Sequence, residues 1–141
     1  MFTTPCFIRK NTSELRKKLE ELGYISHIYN NNDTNNIYVD KLGTYISVDI
    51  ENQPYFIDCG DNEELFLALA ALRDDKPDYQ WFLWEDNDCE YHPEDNDSWR
   101  QYIPGEPWQD WWWFEVRKAS VEELIEHFKQ HEYKYKIYLA E

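Results

Sequence analysis

Glycine is scarce in this chain of 141 residues, and its four copies, Gly23, Gly43, Gly60 and Gly105, stand far apart. Without clustered glycines neither a phosphate-cradling P-loop nor a dinucleotide-binding turn can be built, which excludes the common nucleotide enzymes. Gly-x-Ser-x-Gly and His-Glu-x-x-His are missing too, so the usual hydrolase elbow and zinc-protease helix have no anchor. Cysteine is as thin: Cys6, Cys59 and Cys89 are odd in number and widely spaced, which suits reduced thiols better than a disulfide framework. Long apolar runs are absent, the longest being Leu65 to Leu72, far short of the ~20 residues a membrane helix needs. No basic segment followed by an apolar run opens the chain, so no secretory signal is read and a cytoplasmic location is expected. Basic residues are outnumbered, 14 against 29 acidic ones, for a net charge of −15. That charge opposes affinity for nucleic-acid phosphates and for anionic membrane surfaces, so neither is expected as a direct partner.

What is present can fill a core. Hydrophobic residues make up 42% of the chain and aromatic ones 18%, in 17.3 kDa, the size of one ordinary domain rather than two. The negative charge is central. Residues 1–18 hold five basic groups and one acid and residues 117–141 five of each, so the 98 residues between them carry −19, offset by +4 at the start. Residues 85–110, with nine acids, one base and three of the six prolines, read as the one long loop.

Three capped amphipathic segments stand out. Asn11 with Glu14, Asp61 with Glu64, and Ser120 with Glu123 each have the capping-box spacing. Leu15/Leu19/Leu22, Leu65/Leu69/Leu72 and Leu124/Phe128 follow as one helical face each, with Gly23 a stop for the first helix and the second ending by Asp75, before Pro77. The shared grammar fits the common needs of any short helix laid on a sheet better than an ancient internal repeat, since the shared identities are few. Residues 24–29, 37–40, 44–50 and 55–59 read as strands of an antiparallel meander, and 79–84, 111–117 and an alternating segment through Tyr133, Tyr135, Ile137 and Leu139 as three more. The expected fold is a single α+β domain over 1–141. Three helices pack mostly on one face of a mixed, largely antiparallel sheet of about six to eight strands.

Four constellations carry chemistry. All seven tryptophans, Trp81, Trp84, Trp99, Trp108, Trp111, Trp112 and Trp113, lie in a short stretch. They read as a central strand buried on both faces, or as a binding surface, since Trp dominates many interfaces. The acidic side chains Glu85, Asp86, Asp88, Glu90, Glu94, Asp95 and Asp97 read as a solvated loop, or as a surface that meets a basic partner. Their resemblance to a calcium loop stops at Tyr91, where glycine is needed, and at Asp97, where glutamate is. Cys89, His92, His127 and His131 have the right count for tetrahedral zinc. The two pairs are far apart, however, and histidines at a helix C-terminus are favourable without an ion. Cys59, between a strand and a capped helix, has the placement of a nucleophile, but Asp58 and Asp61 disfavour its thiolate. No cofactor and no metal are expected, and no catalytic residue is assigned.

Together these features lead to an acidic, non-enzymatic protein-interaction module, of the inhibitor or adaptor type that imitates nucleic-acid charge and occupies a basic partner surface. The alternative is a small-molecule-binding protein or enzyme with a Trp-lined pocket. A cleft beside the indoles is the feature that keeps this alternative open.

Overall fold

The computed structural model describes residues 2–28, 33–48, 56–85, 99–105 and 115–129. Among these residues, eight strands and three helices form an α+β fold, with the strands divided between a five-stranded and a three-stranded sheet.

The N-terminal segment begins with β1 (Cys6–Ile8), every residue of which is buried. A short apolar run with no alternation is what a strand covered on both faces looks like. Helix α1 (Ser13–Leu22) follows, and its cap is Thr12, whose Oγ1 accepts from the Leu15 amide at 3.0 Å. Asn11, the expected cap, is used differently. Its carboxamide donates to the Thr34 carbonyl at 2.6 Å and to Ser47 Oγ at 2.5 Å, and accepts from Arg16. It thus ties the start of α1 to the ends of two strands. Leu15 and Leu19 are fully buried. Gly23 ends the helix with φ 111°, and the amides of Gly23 and Tyr24 return to the carbonyls of Glu20 and Leu19, the paired bonds of a Schellman stop.

The next strands do not form the meander. β2 (Ile25–Ser26) pairs in parallel with β4 (Thr44–Ile46), β3 (Ile37–Val39) pairs antiparallel with both β4 and β1, and β5 (Ile57–Asp58) pairs in parallel with β1. The order is β2-β4-β3-β1-β5. Only β3 and β4 make a hairpin, closed by the Asp40 carboxylate, which accepts from the amides of Leu42 and Thr44 and from the Thr44 hydroxyl. β1 inserts between β3 and β5, which leaves β3 at the centre of the sheet and β5 at its edge. Register forces this: Cys6 and Ile8 sit opposite Val39 and Ile37, so all four aliphatic or thiol side chains reach the helix-covered face together.

Helix α2 (Glu63–Ala70) is capped by Asn62, whose Oδ1 accepts from the Leu65 amide at 3.1 Å, rather than by Asp61. It stops at Ala70, where the chain leaves to pair Phe2 with Arg73. The second sheet has order β7-β6-β8 and is antiparallel throughout, from β6 (Trp81–Glu85), β7 (Trp99–Gln101) and β8 (Glu115–Lys118). β7 lies within the stretch read as loop. Trp99 opposite Leu83 and Gln101 opposite Trp81 supply the apolar pairing that the acidic composition around them conceals. Helix α3, residues 121–129, has the expected box: the Ser120 amide donates to Glu123 Oε1 at 3.0 Å and the Glu123 amide to Ser120 Oγ at 3.2 Å. The segment from Tyr133 to Leu139 and the residues 111–114 lie outside the described residues.

One contiguous core joins both sheets, from Phe2, Ile8, Leu15 and Leu19 through Phe66 and Leu69 to Leu124 and Phe128. At the junction Arg73 lies 4.5 Å above the Phe2 ring, donates to the Leu22 carbonyl at 3.0 Å and pairs with Asp75. Lys118 of β8 donates to the Arg73 carbonyl at 2.7 Å, and Gln80, fully buried, donates to the same carbonyl and to that of Lys76. This short segment therefore adds a polar anchor between the second sheet and the helical layer to the apolar contacts of the core.

Candidate functional site

On an antiparallel sheet, residues directly opposite each other share a face, and alternate residues of a strand share it too. Trp81, Leu83, Trp99 and Gln101 therefore project to one side of the three-stranded sheet, while Phe82, Arg100 and Lys118 project to the other. Helix α3 lies on the tryptophan side. His127 stacks on Trp99 with ring centroids 4.0 Å apart and planes 17° from parallel, and Phe128 meets Trp81 edge-on at 5.5 Å. Helix α2 closes the third side with Glu64, Leu67 and Ala68, positions i, i+3 and i+4 of one helical stripe.

The result is a cleft of about 460 Å³ lined, among the described residues, by Glu64, Leu67, Ala68, Trp81, Trp99, Gln101, His127 and Phe128. Its floor is aliphatic and aromatic, and both indoles are half-buried in its walls. Its polar groups differ in how far they are committed. Gln101 uses its Nε2 to donate to the Tyr79 carbonyl at 2.9 Å. That partner can only accept, so the amide nitrogen is fixed there and Oε1 is left as the acceptor. Glu64 has no ion-pair partner among the described residues, whereas its neighbour Glu63 holds Lys10 at 2.8 Å and Lys18 at 3.4 Å. The hydrogen bond from Lys10 keeps the Glu63 carboxyl below its ordinary range.

Of the expected site residues, the structure brings Trp81 and Trp99 together. Trp84 and Glu85 belong to β6. Trp108, Trp111, Trp112, Trp113, Asp86, Asp88, Glu90, Glu94, Asp95 and Asp97 lie outside the described residues. So do Cys89, His92 and His131. Of the four zinc ligands weighed above only His127 is placed, and its ring is stacked on an indole. Among the described residues no three His, Cys, Asp or Glu side chains gather to hold a metal ion. Glu64 and Gln101 were not read as site residues. The stripe Glu64–Leu67–Ala68, beside the buried Leu65–Leu69 stripe, is the available signal for the first.

Cys59 sits in a second, smaller depression of about 290 Å³ with Asp58, Gly60, Asp61, Asn62, Leu65 and Lys129. The thiol is buried and donates weakly to the Ile57 carbonyl at 3.9 Å. No imidazole lines the depression among the described residues. Burial pushes the neighbouring Cys6 thiol well above its usual range, with the Cys59 thiol adding to the effect.

Among the described residues no helix is long and apolar enough to cross a membrane. No protein-family model, curated protein or solved structure matches the chain.

Proposed function

We propose that this chain is an acidic binding module that docks on the basic surface of a protein partner, with the Trp81–Trp99 cleft at the centre of the contact. The observation that supports the reading is the cleft itself. Two half-buried indoles border a concave apolar space in a chain of net charge −15. Interfaces draw most of their energy from a few aromatic residues around a desolvated centre, while surrounding charge steers approach and sets specificity. A small-molecule site is the second reading. It is favoured by the volume, about 460 Å³, which falls within the ordinary range of ligand pockets.

Affinity capture from the native host, followed by reconstitution with the purified partner, tests the proposal. A basic partner is expected, with association weakening steeply between about 50 mM and 500 mM salt, as exposed charge pairing requires. Equal binding at both salt concentrations, or a small organic ligand co-purifying in place of any protein, overturns it.

A further inference from the structure

The cleft has a chemical bias beyond its shape. Two of its polar groups present acceptors: the Glu64 carboxylate, and Gln101 Oε1, which is oriented by the bond that one N–H of the same amide donates to the Tyr79 carbonyl. An occupant that brings several donors to that side is therefore matched by three acceptor oxygens. The walls are indoles, whose π faces are negative and attract cations, most of all planar ones that can lie flat on the ring. The basic side chains borne by these strands do not compete. Arg100 and Lys118 point to the opposite face of the sheet. Arg117, on the cleft side, is neutralised by Glu123 through two hydrogen bonds of 2.7 and 2.8 Å.

We infer that the cleft between α2, α3 and the three-stranded sheet receives an arginine side chain of the partner. Its guanidinium lies against Trp81 or Trp99 and donates to Glu64 and Gln101. A guanidinium presents five N–H donors in a plane and no acceptor, which matches three acceptor oxygens beside a flat aromatic wall. The chain seats two of its own arginines in this way: Arg73 lies over Phe2 while paired with Asp75, and Arg9 lies over Phe7 while paired with Asp58 at 3.1 Å. Lysine fits less well, since its compact, strongly hydrated ammonium neither stacks flat nor offers a planar fork. The inference rests on the docking reading above and narrows it to one side-chain chemistry.

The test uses the full chain and three small probes: the N-acetyl methylamides of arginine, of citrulline, which has the same shape without the charge, and of lysine. Binding is followed by calorimetry and by the indole N–H resonances of Trp81 and Trp99, assigned through Trp→Phe variants. The arginine probe is expected to bind saturably in the millimolar range, with the citrulline and lysine probes about tenfold weaker, equivalent to roughly 1.4 kcal/mol. Glu64→Gln should weaken the arginine probe about tenfold and keep the fold, because Glu64 holds no ion pair among the described residues and gives up only its first-turn charge on α2. Equal binding of arginine and citrulline, equal binding of arginine and lysine, undiminished binding by Glu64→Gln, or no movement of either indole resonance each overturns the inference. The partner, once isolated, separates the two claims. Binding it equally with wild type and Glu64→Gln removes the arginine site and leaves the module. Arginine-probe binding without any protein partner removes the module and the partner's arginine with it.

Discussion

His127 lies face to face with Trp99 across the seam between α3 and the three-stranded sheet, with centroids 4.0 Å apart. It makes an edge contact with Phe128 on its own helix, at 5.0 Å, and lies 6.5 Å from Trp81. The imidazole is thus part of an aromatic wall.

His127→Ala should therefore behave as the loss of an aromatic pair. Such pairs contribute about 0.5–1.5 kcal/mol beyond their buried area, so the variant is expected to unfold at lower urea concentration by about 1 kcal/mol. His127→Phe should recover most of the difference. Unchanged urea midpoints for both variants would show that the stack carries no energy.

How much of this was legible in the chain depends on the range of the interaction. The Ser120–Glu123 box, the Gly23 stop and the buried stripes of Leu15/Leu19 and Leu65/Leu69 are local, set by side chains within one or two turns, and they occur where the spacing places them. The strand order was not legible. Whether β5 pairs with β4 or with β1 is decided by the insertion of Cys6–Ile8 between β3 and β5, a three-residue run without periodicity. Asn11 misled for a related reason. It has capping chemistry, but Thr34 and Ser47, distant in the chain, compete for its carboxamide, and Thr12 takes the cap. The cleft was legible in half: the indoles announce themselves, while Glu64 and Gln101 become site residues only when α2 meets the second sheet.

Tyr24 places its hydroxyl 2.8 Å from the Ala70 carbonyl, joining the end of α1 to the end of α2 inside the core. Tyr24→Phe leaves that carbonyl without this donor, so a loss of about 1–3 kcal/mol is expected at neutral pH. Burial also raises the phenol well above its ordinary range, so it stays neutral in the folded state while the unfolded chain ionises near pH 10. Stability should then fall as pH rises past that point, and the phenylalanine variant should lose less over the same interval. Urea titrations at neutral and alkaline pH measure both effects. Parallel alkaline losses would contradict the assignment.

Gly23 and Gly60 form a natural comparison. Both have positive φ, 111° and 61°, but a Cβ on Gly23 would lie 3.2 Å from Arg73 Nη1 and 3.3 Å from Phe2 Cζ, while one on Gly60 would meet nothing within 4 Å. Gly60→Ala should cost only backbone strain, about 1–2 kcal/mol. Gly23→Ala should cost more, because it also disturbs the arginine that ties α1 to the start of the second sheet. Thermal melts rank the pair, and a Gly60 variant less stable than the Gly23 variant would refute the packing argument.

The Glu123 carboxylate gives the acid limb of stability a specific contributor. It receives both arms of Arg117, the amide of Ser120 and, with its own amide, returns a bond to Ser120. The Arg117 hydrogen bonds, ahead of those from Ser120, draw its pKa down to about 2. A carboxyl whose folded pKa lies below its unfolded value of about 4.3 stabilises the fold fully at neutral pH. That contribution begins to fade as pH drops past the unfolded value and is gone once pH passes below the folded one. Because Arg117 is half exposed, solvent screening holds the effect to about 1 kcal/mol or less. Glu123→Gln keeps shape and removes the charge, so it should be less stable than wild type at pH 7 and converge on it as pH falls from 5 to about 2. Ser120→Ala, which removes the cap but not the ion pair, should cost about 1 kcal/mol and leave the difference from wild type nearly constant over that interval. Urea midpoints of the three proteins at closely spaced acid pH values decide between them. A gap between wild type and Glu123→Gln that stays level down to pH 2 would mean that the Arg117 pairing is not what lowers this carboxyl.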